Sequence, residues 1–243
     1  MNKKQLIAAW VIIFCWTNVA LAYIDNYPPH KFKDGSYKHL KATELAGPKK
    51  SGYKSKDGKI TVVFEGPQDE GYLYYLMLRD GETILIDEKY ITTPFPYAVY
   101  MADLDKNGLQ DFIVISNYRG CGLAAYNDKV DIFLKRADGS YQKITYDTMG
   151  AELGDFVDLN KDGKYEVIIT DIYRGQKHNY FTYSIYEFHD YKLVNSDNKN
   201  TGFPKFVWMT DKPNDKDTLH LTQEEKQKHI EEKNKSIVYE TIE

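Results

Sequence analysis

The sequence predicts a mostly β protein built from antiparallel sheets, with a short polar helix near its C-terminus. Its 243 residues include 21 tyrosines and 11 phenylalanines. These fall largely in short runs with Val and Ile that are bounded by Asp-Gly or Asn-Gly, which is typical of strands joined by tight turns. A segment that begins at Asp103 also recurs from Asp158. Together these observations favour repeated β units.

Five apolar runs are the clearest strand candidates, and several of them alternate with a period of two. In one of them Tyr180, Thr182 and Ser184 alternate with larger apolar side chains. Such alternation predicts antiparallel sheets with two chemically different faces. The five runs are Ile60–Phe64, Tyr72–Leu78, Phe112–Ile115, Val167–Thr170 and Tyr180–Phe188.

The first 22 residues have the layout of a secretory signal peptide. Lys3 and Lys4 precede an apolar run over residues 6–16, and Ala20-Leu21-Ala22 is a small-residue cleavage signal. The apolar run is about half of the ~20 residues that a membrane-spanning helix needs. We therefore expect residues 1–22 to be cleaved and the chain to be exported to the periplasm or the extracellular space, with no membrane span after cleavage.

Charge and cysteine content narrow the possible partners and the sources of stability. Cleavage would remove two lysines and take the formal net charge from −4 to −6, which argues against a nucleic-acid partner. Only Cys121 would remain, so the mature chain cannot form an internal disulfide. Bound metal is one candidate for the missing stabilisation.

Three segments follow the predicted signal peptide. Residues 23–57 are rich in Lys, Pro, Gly and Ser with little periodicity, which predicts an extended arm or linker. Residues 58–210 hold the β runs and form the predicted repeat domain. Residues 211–243 form a charged C-terminal helix and tail.

The predicted C-terminal helix covers residues 222–235. Thr222 followed by Glu225 has the spacing of a capping box. Ile230 is the only large apolar residue of this helix, so we expect it to lie on the surface or to project into solvent. Residues 236–242 are a possible closing strand.

The repeat extends well beyond the acidic residues. Residues 103–120 match residues 158–175 at a constant offset of 55, and the matches include Phe112-Ile113-Val114 with Val167-Ile168-Ile169 and Tyr118-Arg119-Gly120 with Tyr173-Arg174-Gly175. Further on, Ile132-Phe133 is similar to Ile185-Tyr186. The predicted units are residues 97–152 and 153–200, with a degenerate third unit at residues 53–92.

Each clear unit contains a nine-residue loop of the pattern D-x-[DN]-x-[DN]-G-x-x-[DE]. Calcium takes six to eight oxygen ligands, and acids at alternating positions of a tight loop direct several oxygens at one centre. Gly108 and Gly163 would allow the sharp turn. The predicted ligands are Asp103, Asp105, Asn107, the Leu109 carbonyl and Asp111 in the first loop, and Asp158, Asn160, Asp162, the Lys164 carbonyl and Glu166 in the second. In the degenerate unit these positions hold Tyr53, Ser55 and Thr61, so we expect no metal there.

Other interpretations of these loops are less consistent with the residues. An EF-hand needs an acid at position twelve, where this chain has Val114 and Ile169. A single Asp/Asn/Gly-rich loop is often only a turn, but two aligned copies that both keep an acid at position nine favour a metal. Zinc is disfavoured because neither loop contains His or Cys.

With these loops leading into strands, the sequence resembles the FG-GAP and VCBS repeat families. The resemblance is clear over residues 97–195 and faint over residues 53–92. It implies propeller-blade-like repeats and two Ca²⁺ sites. A closed propeller needs at least about four blades. Only two clear units, one degenerate unit and a possible fourth over residues 203–242 are present, so a partial or mini-propeller is expected.

No catalytic motif accompanies the loops, and we expect the chain not to be an enzyme. His178 and His189 lie in or beside a strand, and Cys121 has no histidine near it in sequence. A packing role is the more common one for such residues. The repeated Tyr-Arg-Gly triplets could either stabilise each unit or contact a partner.

Three functions remain open from the sequence. The leading one is a non-catalytic calcium-stabilised scaffold that binds a protein or a polysaccharide of the cell envelope. A narrower alternative is a periplasmic, calcium-dependent inhibitor or immunity protein against a wall-degrading enzyme, to which Ser51-Gly52-Tyr53 gives slight support. A propeller-type hydrolase or lyase is the third, and it is disfavoured because loops filled by their own ligands lack the open metal position that such chemistry requires.

Overall fold

The computed structural model describes residues 38–44, 46–49, 52–54, 60–65, 75–80, 83–87, 96–117, 127–174, 179–196, 209–210 and 222–242. Within these residues the chain forms seventeen strands, a 3₁₀ helix (Leu153–Asp155) and an α-helix, α1 (Gln223–Ser236). The strands are β1 (Lys38–His39), β2 (Thr43–Glu44), β3 (Ala46–Lys49), β4 (Gly52–Lys54), β5 (Ile60–Glu65), β6 (Tyr75–Asp80), β7 (Thr83–Asp87), β8 (Pro96–Ala102), β9 (Asp111–Asn117), β10 (Asn127–Lys135), β11 (Tyr141–Met149), β12 (Phe156–Asp158), β13 (Glu166–Arg174), β14 (Asn179–His189), β15 (Lys192–Asn195), β16 (Met209–Thr210) and β17 (Val238–Ile242). The prediction of a mostly β fold with antiparallel sheets and a short helix is confirmed.

The strands form three antiparallel sheets. The first sheet has the order β3-β4-β5-β6-β7, and the second has the order β17-β11-β10-β9-β8-β2. The third has the order β1-β12-β13-β14-β15, with β16 paired to β14. Each sheet contains a meander of four consecutive strands, namely β4–β7, β8–β11 and β12–β15. These meanders cover residues 52–87, 96–149 and 156–195, against predicted units of 53–92, 97–152 and 153–200.

All five predicted apolar runs overlap strands of these meanders. They correspond to β5, β6, β9, β13 and β14, although residues 72–74 of the second run lie outside the described residues. The turn between β10 and β11 is built around Asp138-Gly139. Gly139 has φ 90°, and Asp138 Oδ1 accepts a hydrogen bond from the Ser140 amide at 2.9 Å. The Asp-Gly pair therefore acts here as the turn that its sequence indicates.

Part of the predicted arm, residues 23–57, belongs to the sheets. β1 pairs with β12 and β2 pairs with β8, so both are edge strands, while β3 and β4 lie in the first sheet. An edge strand is held by backbone hydrogen bonds, which need no apolar periodicity in the sequence. The described residues of this segment, which lie between Lys38 and Lys54, therefore differ from the predicted linker. The predicted signal peptide, residues 1–22, lies outside the described residues.

Helix α1 begins at the predicted capping box. The Glu225 amide donates to Thr222 Oγ1 at 3.2 Å, and the Thr222 amide donates to Glu225 Oε2 at 2.8 Å. Of the two expected placements the helix takes the first: it lies on the surface with most of its residues exposed, and His229 and Lys233 are buried. Lys233 Nζ donates to Asp171 Oδ2 on β13 at 2.9 Å. Polar partners on the sheets thus take the place of an apolar stripe.

The C-terminal strands lengthen existing sheets. β17 pairs with β11 at the edge of the second sheet, as a closing strand would, and β16 pairs with β14. The described part of residues 203–242 therefore supplies edge strands and no fourth meander. Among the described residues, no closed barrel or propeller is found.

One apolar core joins the second and third sheets. It includes Ile113 and Ile132 from the second sheet and Val167 and Tyr186 from the third, all fully buried. A smaller cluster around Ile168 lies on the other face of the third sheet. The two predicted metal loops are attached to these apolar clusters, the first through Leu104 and the second through Leu159.

Candidate metal centre

Both predicted metal loops occupy the same place in their meanders. The first loop (residues 103–111) joins β8 to β9, and the second loop (residues 158–166) joins β12 to β13. In each loop the second residue is a buried leucine, Leu104 at 0% exposure and Leu159 at 2%. These leucines anchor the loops in the apolar clusters, while the residues at the loop tips are exposed to solvent.

The two loops share one pattern of hydrogen bonds. The amide of the second residue donates to the carboxylate at position nine, at 2.8 Å from Leu104 to Asp111 and at 2.6 Å from Leu159 to Glu166. The glycine amide at position six donates to the aspartate at position one at 3.2 Å in both loops. The amides at positions five and seven donate to the side-chain oxygens at positions three and five. The side chains at positions one, three, five and nine therefore turn toward the inside of each loop.

Two residues in each loop adopt a left-handed backbone. Lys106 and Gly108 have φ of 61° and 83°, and Lys161 and Gly163 have φ of 65° and 91°. Glycine adopts this conformation without strain, whereas a lysine with a positive φ is uncommon. Because the same two positions turn in the same way, the loops have equivalent backbones despite their different side chains.

The first loop gathers three carboxylates. Ligand oxygens of Asp103, Asp105 and Asp111 lie within 4.8 Å of one another, which is a spacing that can hold a metal ion. Asp111 is fully buried, and the buried oxygen Asp103 Oδ1 has no hydrogen-bond partner. A buried carboxylate oxygen without a donor is costly, and a bound cation would satisfy it. This cluster fits a cation that prefers oxygen, although the spacing alone does not select calcium.

The carboxylates of the second loop lie further apart than those of the first, but its position-one aspartate also has an oxygen without a hydrogen-bond partner. Asp158 is 1% exposed, and its Oδ1 has no hydrogen-bond partner. Among the described residues, Asp158, Asp162 and Glu166 do not form a group as tight as that of the first loop. The loop therefore presents an equivalent orphaned oxygen at position one with its acids further apart.

The side chains at positions three and five are held by hydrogen bonds within the loops and to a neighbouring strand. Asn107 Oδ1 accepts from the Leu109 amide at 2.7 Å, and Asn107 Nδ2 donates to the Lys135 carbonyl at 3.0 Å. Asn160 Nδ2 donates to Asp162 Oδ2 at 3.1 Å, and the Lys164 amide donates to Asp162 Oδ1 at 2.8 Å. Each amide oxygen keeps a second lone pair with which it could coordinate a cation.

Both position-nine acids lie where ionisation is unfavourable without a cation. Burial, with further contributions from Asp105 and Asp103, raises the pKa of Asp111 to about 7 even though the Leu104 and Lys135 amides oppose the rise. Burial likewise raises the pKa of Glu166 to about 7, and nearby carboxylates add to the rise. Burial also raises the pKa of Asp105. A divalent cation would supply the opposite charge that these groups lack.

The two loops lie close together. Lys106 Nζ of the first loop is 4.5 Å from the ring centroid of Tyr165, which directly precedes the position-nine acid of the second loop. This cation–π contact is worth roughly 0.5–1 kcal/mol at an exposed site. The two loops are therefore neighbours in the fold.

The other candidate residues do not assemble into a catalytic group within the described residues. His189 is exposed and lies 3.2 Å from Asp190. Tyr173 contacts the rings of Tyr180 and His229, at centroid distances of 6.3 Å and 5.3 Å, which agrees with a packing role. Cys121, His178, Ser51 and the triplet Tyr118-Arg119-Gly120 lie outside the described residues.

Sequence reasoning missed Glu187, which lies on β14 directly opposite Glu166 on β13. The alignment of Ile132-Phe133 with Ile185-Tyr186 could have identified this residue. The next position is the apolar Leu134 in one unit and the acidic Glu187 in the other. It also missed the polar contacts that bury His229 and Lys233, for which the sequence gives no local pattern.

No helix among the described residues is long and apolar enough to cross a membrane. Comparison of the chain with protein-family models, with curated proteins and with solved structures gives no match. Functional inference for this chain therefore depends on its own residues and their geometry.

Proposed function

We propose that the chain is an exported, non-catalytic calcium-binding protein, built on propeller-blade-like units of the FG-GAP and VCBS type. In this proposal calcium at the two loops stabilises a β scaffold, and the scaffold binds a protein or a polysaccharide of the cell envelope. The observation that carries the proposal is the shared construction of the loops, each of which has a buried position-one oxygen without a partner. Export is supported by the signal-peptide layout of residues 1–22.

The contacts of the loops favour a structural role for the cation. Position one ends or closely follows one strand and position nine begins the next, so a cation between them fixes two strands together. In the first loop Asp111 Oδ1 also accepts a hydrogen bond from the Lys135 amide of β10 at 2.9 Å. A cation bound at Asp111 would therefore also help to fix this third strand. A catalytic metal needs a position open to substrate, whereas these loops offer several side-chain and carbonyl oxygens of their own.

We assign calcium to the loops because their available ligands are carboxylate, amide and carbonyl oxygens, which are hard ligands. Calcium sites of extracellular modules bind with Kd values of roughly 10⁻⁴–10⁻³ M. Sites of that strength would be filled outside the cell. The scaffold would then reach its full stability only after export.

Thermal unfolding with calcium, with magnesium and with chelator tests the proposal. We expect the Tm to rise by several degrees with calcium, because binding to the folded state alone stabilises by about 2.7 kcal/mol at 100 times Kd. Asp103→Asn and Asp158→Asn should each reduce the rise. Asp138→Asn makes the same chemical change in a turn outside both loops and should leave the rise intact.

Two outcomes would count against the proposal. An identical Tm in calcium and in chelator would refute the structural role of calcium. Capture of envelope proteins and wall polysaccharide by the immobilised chain tests the binding role, which predicts a partner retained in calcium and released by chelator. No retained partner under either condition would contradict it.

A further inference from the structure

The third sheet places a carboxylate beside the second loop that is not part of the loop sequence. Glu187 on β14 is the register partner of Glu166 on β13. Directly opposed residues of an antiparallel pair lie on the same face with Cβ atoms about 4.5–5.5 Å apart, and like charges in such a pair are destabilising. Two glutamates at this position therefore require a compensating positive charge or a proton.

The Glu187 side chain is held in place by Ser196, which directly follows β15. Ser196 Oγ donates to Glu187 Oε2 at 2.6 Å, and the Ser196 amide donates to the Ile185 carbonyl at 2.9 Å. Ser196 is fully buried. The hydroxyl thus occupies one oxygen of the carboxylate and orients the group, which is how a supporting residue commonly fixes a metal ligand.

The first loop has no counterpart to this arrangement. Phe112 pairs with Phe133, so the same register brings Leu134 opposite Asp111. Leu134 is fully buried and uncharged, and the second oxygen of Asp111 accepts the Lys135 amide at 2.9 Å. The first loop therefore has three carboxylates, whereas the second loop and Glu187 together have four.

A second observation indicates that a ligand belongs at this place. Asp158, at position one of the second loop, is 1% exposed, and its Oδ1 has no hydrogen-bond partner. The other oxygen is already used by the Gly163 amide at 3.2 Å. The unpaired Asp158 oxygen and the two opposed glutamates both lack a positive charge at the same strand end. A single bound cation would stabilise all three groups.

We propose that Glu187 is a further cation-binding residue of the second loop, so that this loop takes up calcium more tightly than the first. Glu187 and the acids of the second loop do not gather as closely as those of the first, so Glu187 acts through a bridging water and adds one negative charge to the site. This inference depends on the proposed calcium binding. Site charge is one of the factors that tune calcium affinity in other loops.

Calorimetric titration with calcium chloride tests this inference site by site. The Asp103→Asn chain reports the second loop, and the Asp158→Asn chain reports the first. In the Asp103→Asn background, Glu187→Gln should weaken calcium binding about tenfold. In the Asp158→Asn background the same change should alter the Kd less than about twofold. Glu231→Gln on the exposed face of α1 is the matched control and should change neither Kd.

Ser196→Ala provides a second variant that keeps the charge. It removes the hydroxyl that orients Glu187, so it should weaken the second site by less than Glu187→Gln does. Binding by the Asp103→Asn chain that stays within about twofold after Glu187→Gln would overturn the inference and leave calcium binding itself intact. Absence of calcium binding in the unsubstituted chain would instead contradict the proposed function and this inference together.

Discussion

Without calcium, the protein should lose stability as the pH rises from 5 to 7. Folding places Asp111 and Glu166 where burial raises the pKa of each to about 7, from ordinary values of 3.8 and 4.5. Above pH 5 the unfolded chain has largely released these protons, whereas the folded chain keeps them. The folded state therefore binds more protons, and its stability falls as the pH rises toward 7.

The magnitude follows from the same values. Each carboxyl that is protonated only in the folded state lowers the free energy of unfolding by about 1.4 kcal/mol per pH unit. Over the two pH units from 5 to 7, Asp111 and Glu166 therefore each account for at most about 3 kcal/mol. A small domain has a total stability of roughly 5–15 kcal/mol, so the loss should be easy to measure.

Urea unfolding in chelator at pH 5, 6, 7 and 8 measures this slope. Asp111→Asn and Glu166→Gln keep one acceptor oxygen each but cannot ionise, so each should flatten the slope. Asp155, outside both loops, also has a pKa of about 7 because of burial. Asp155→Asn should remove its own part of the slope without changing the effect of calcium.

Calcium should reverse the behaviour of the loop acids. A bound divalent cation favours their ionised form, so the contribution of the loops to the slope should disappear in saturating calcium. A stability in chelator that rises between pH 5 and 7 would contradict this reasoning. So would a slope that both loop substitutions leave unchanged.

The contacts of α1 give three further predictions. Lys233→Met should lower the free energy of urea unfolding by about 2 kcal/mol because it leaves the Asp171 carboxylate without its buried partner. Lys228→Met removes an exposed ion pair and should change the free energy of unfolding by less than about 0.5 kcal/mol. Equal effects of the two substitutions would contradict the buried contact. Burial lowers the pKa of His229, so the neutral imidazole stabilises the fold above about pH 6.5 and this stabilisation is lost as the pH falls through the lowered pKa. NMR titration of the imidazole should give a pKa below 6.5. A higher pKa would refute the burial of His229 against the sheet. Thr222→Ala should cost about 1 kcal/mol in urea unfolding by removing the helix cap, and Thr222→Ser should restore it; no loss would show that the capped turn does not contribute to folding.

Local sequence patterns predicted much of the fold because the relevant forces are local. The short apolar runs predicted β9, β13 and β14, and the capping-box spacing predicted the start of α1 at Thr222. The D-x-[DN]-x-[DN]-G pattern predicted which side chains turn inward, because short-range hydrogen bonds such as that from the Gly108 amide to Asp103 fix their direction.

Long-range pairing was not predictable in the same way. β1 and β2 are short edge strands held by backbone hydrogen bonds to β12 and β8, so their side chains carry no period that identifies them. In the sequence Lys233 is typical of a solvent-exposed helix residue. In the fold its Nζ lies 2.9 Å from Asp171 Oδ2. Glu187 becomes a candidate ligand only when the β13–β14 register is known.

Calcium titration of the purified chain by isothermal calorimetry tests the central claim most directly. We predict two calcium ions per chain for the unsubstituted protein, and one ion each for Asp103→Asn and for Asp158→Asn. Asp138→Asn should keep both sites. Heat of binding that is absent, or a stoichiometry that neither loop substitution changes, would contradict the assignment of calcium to these two loops.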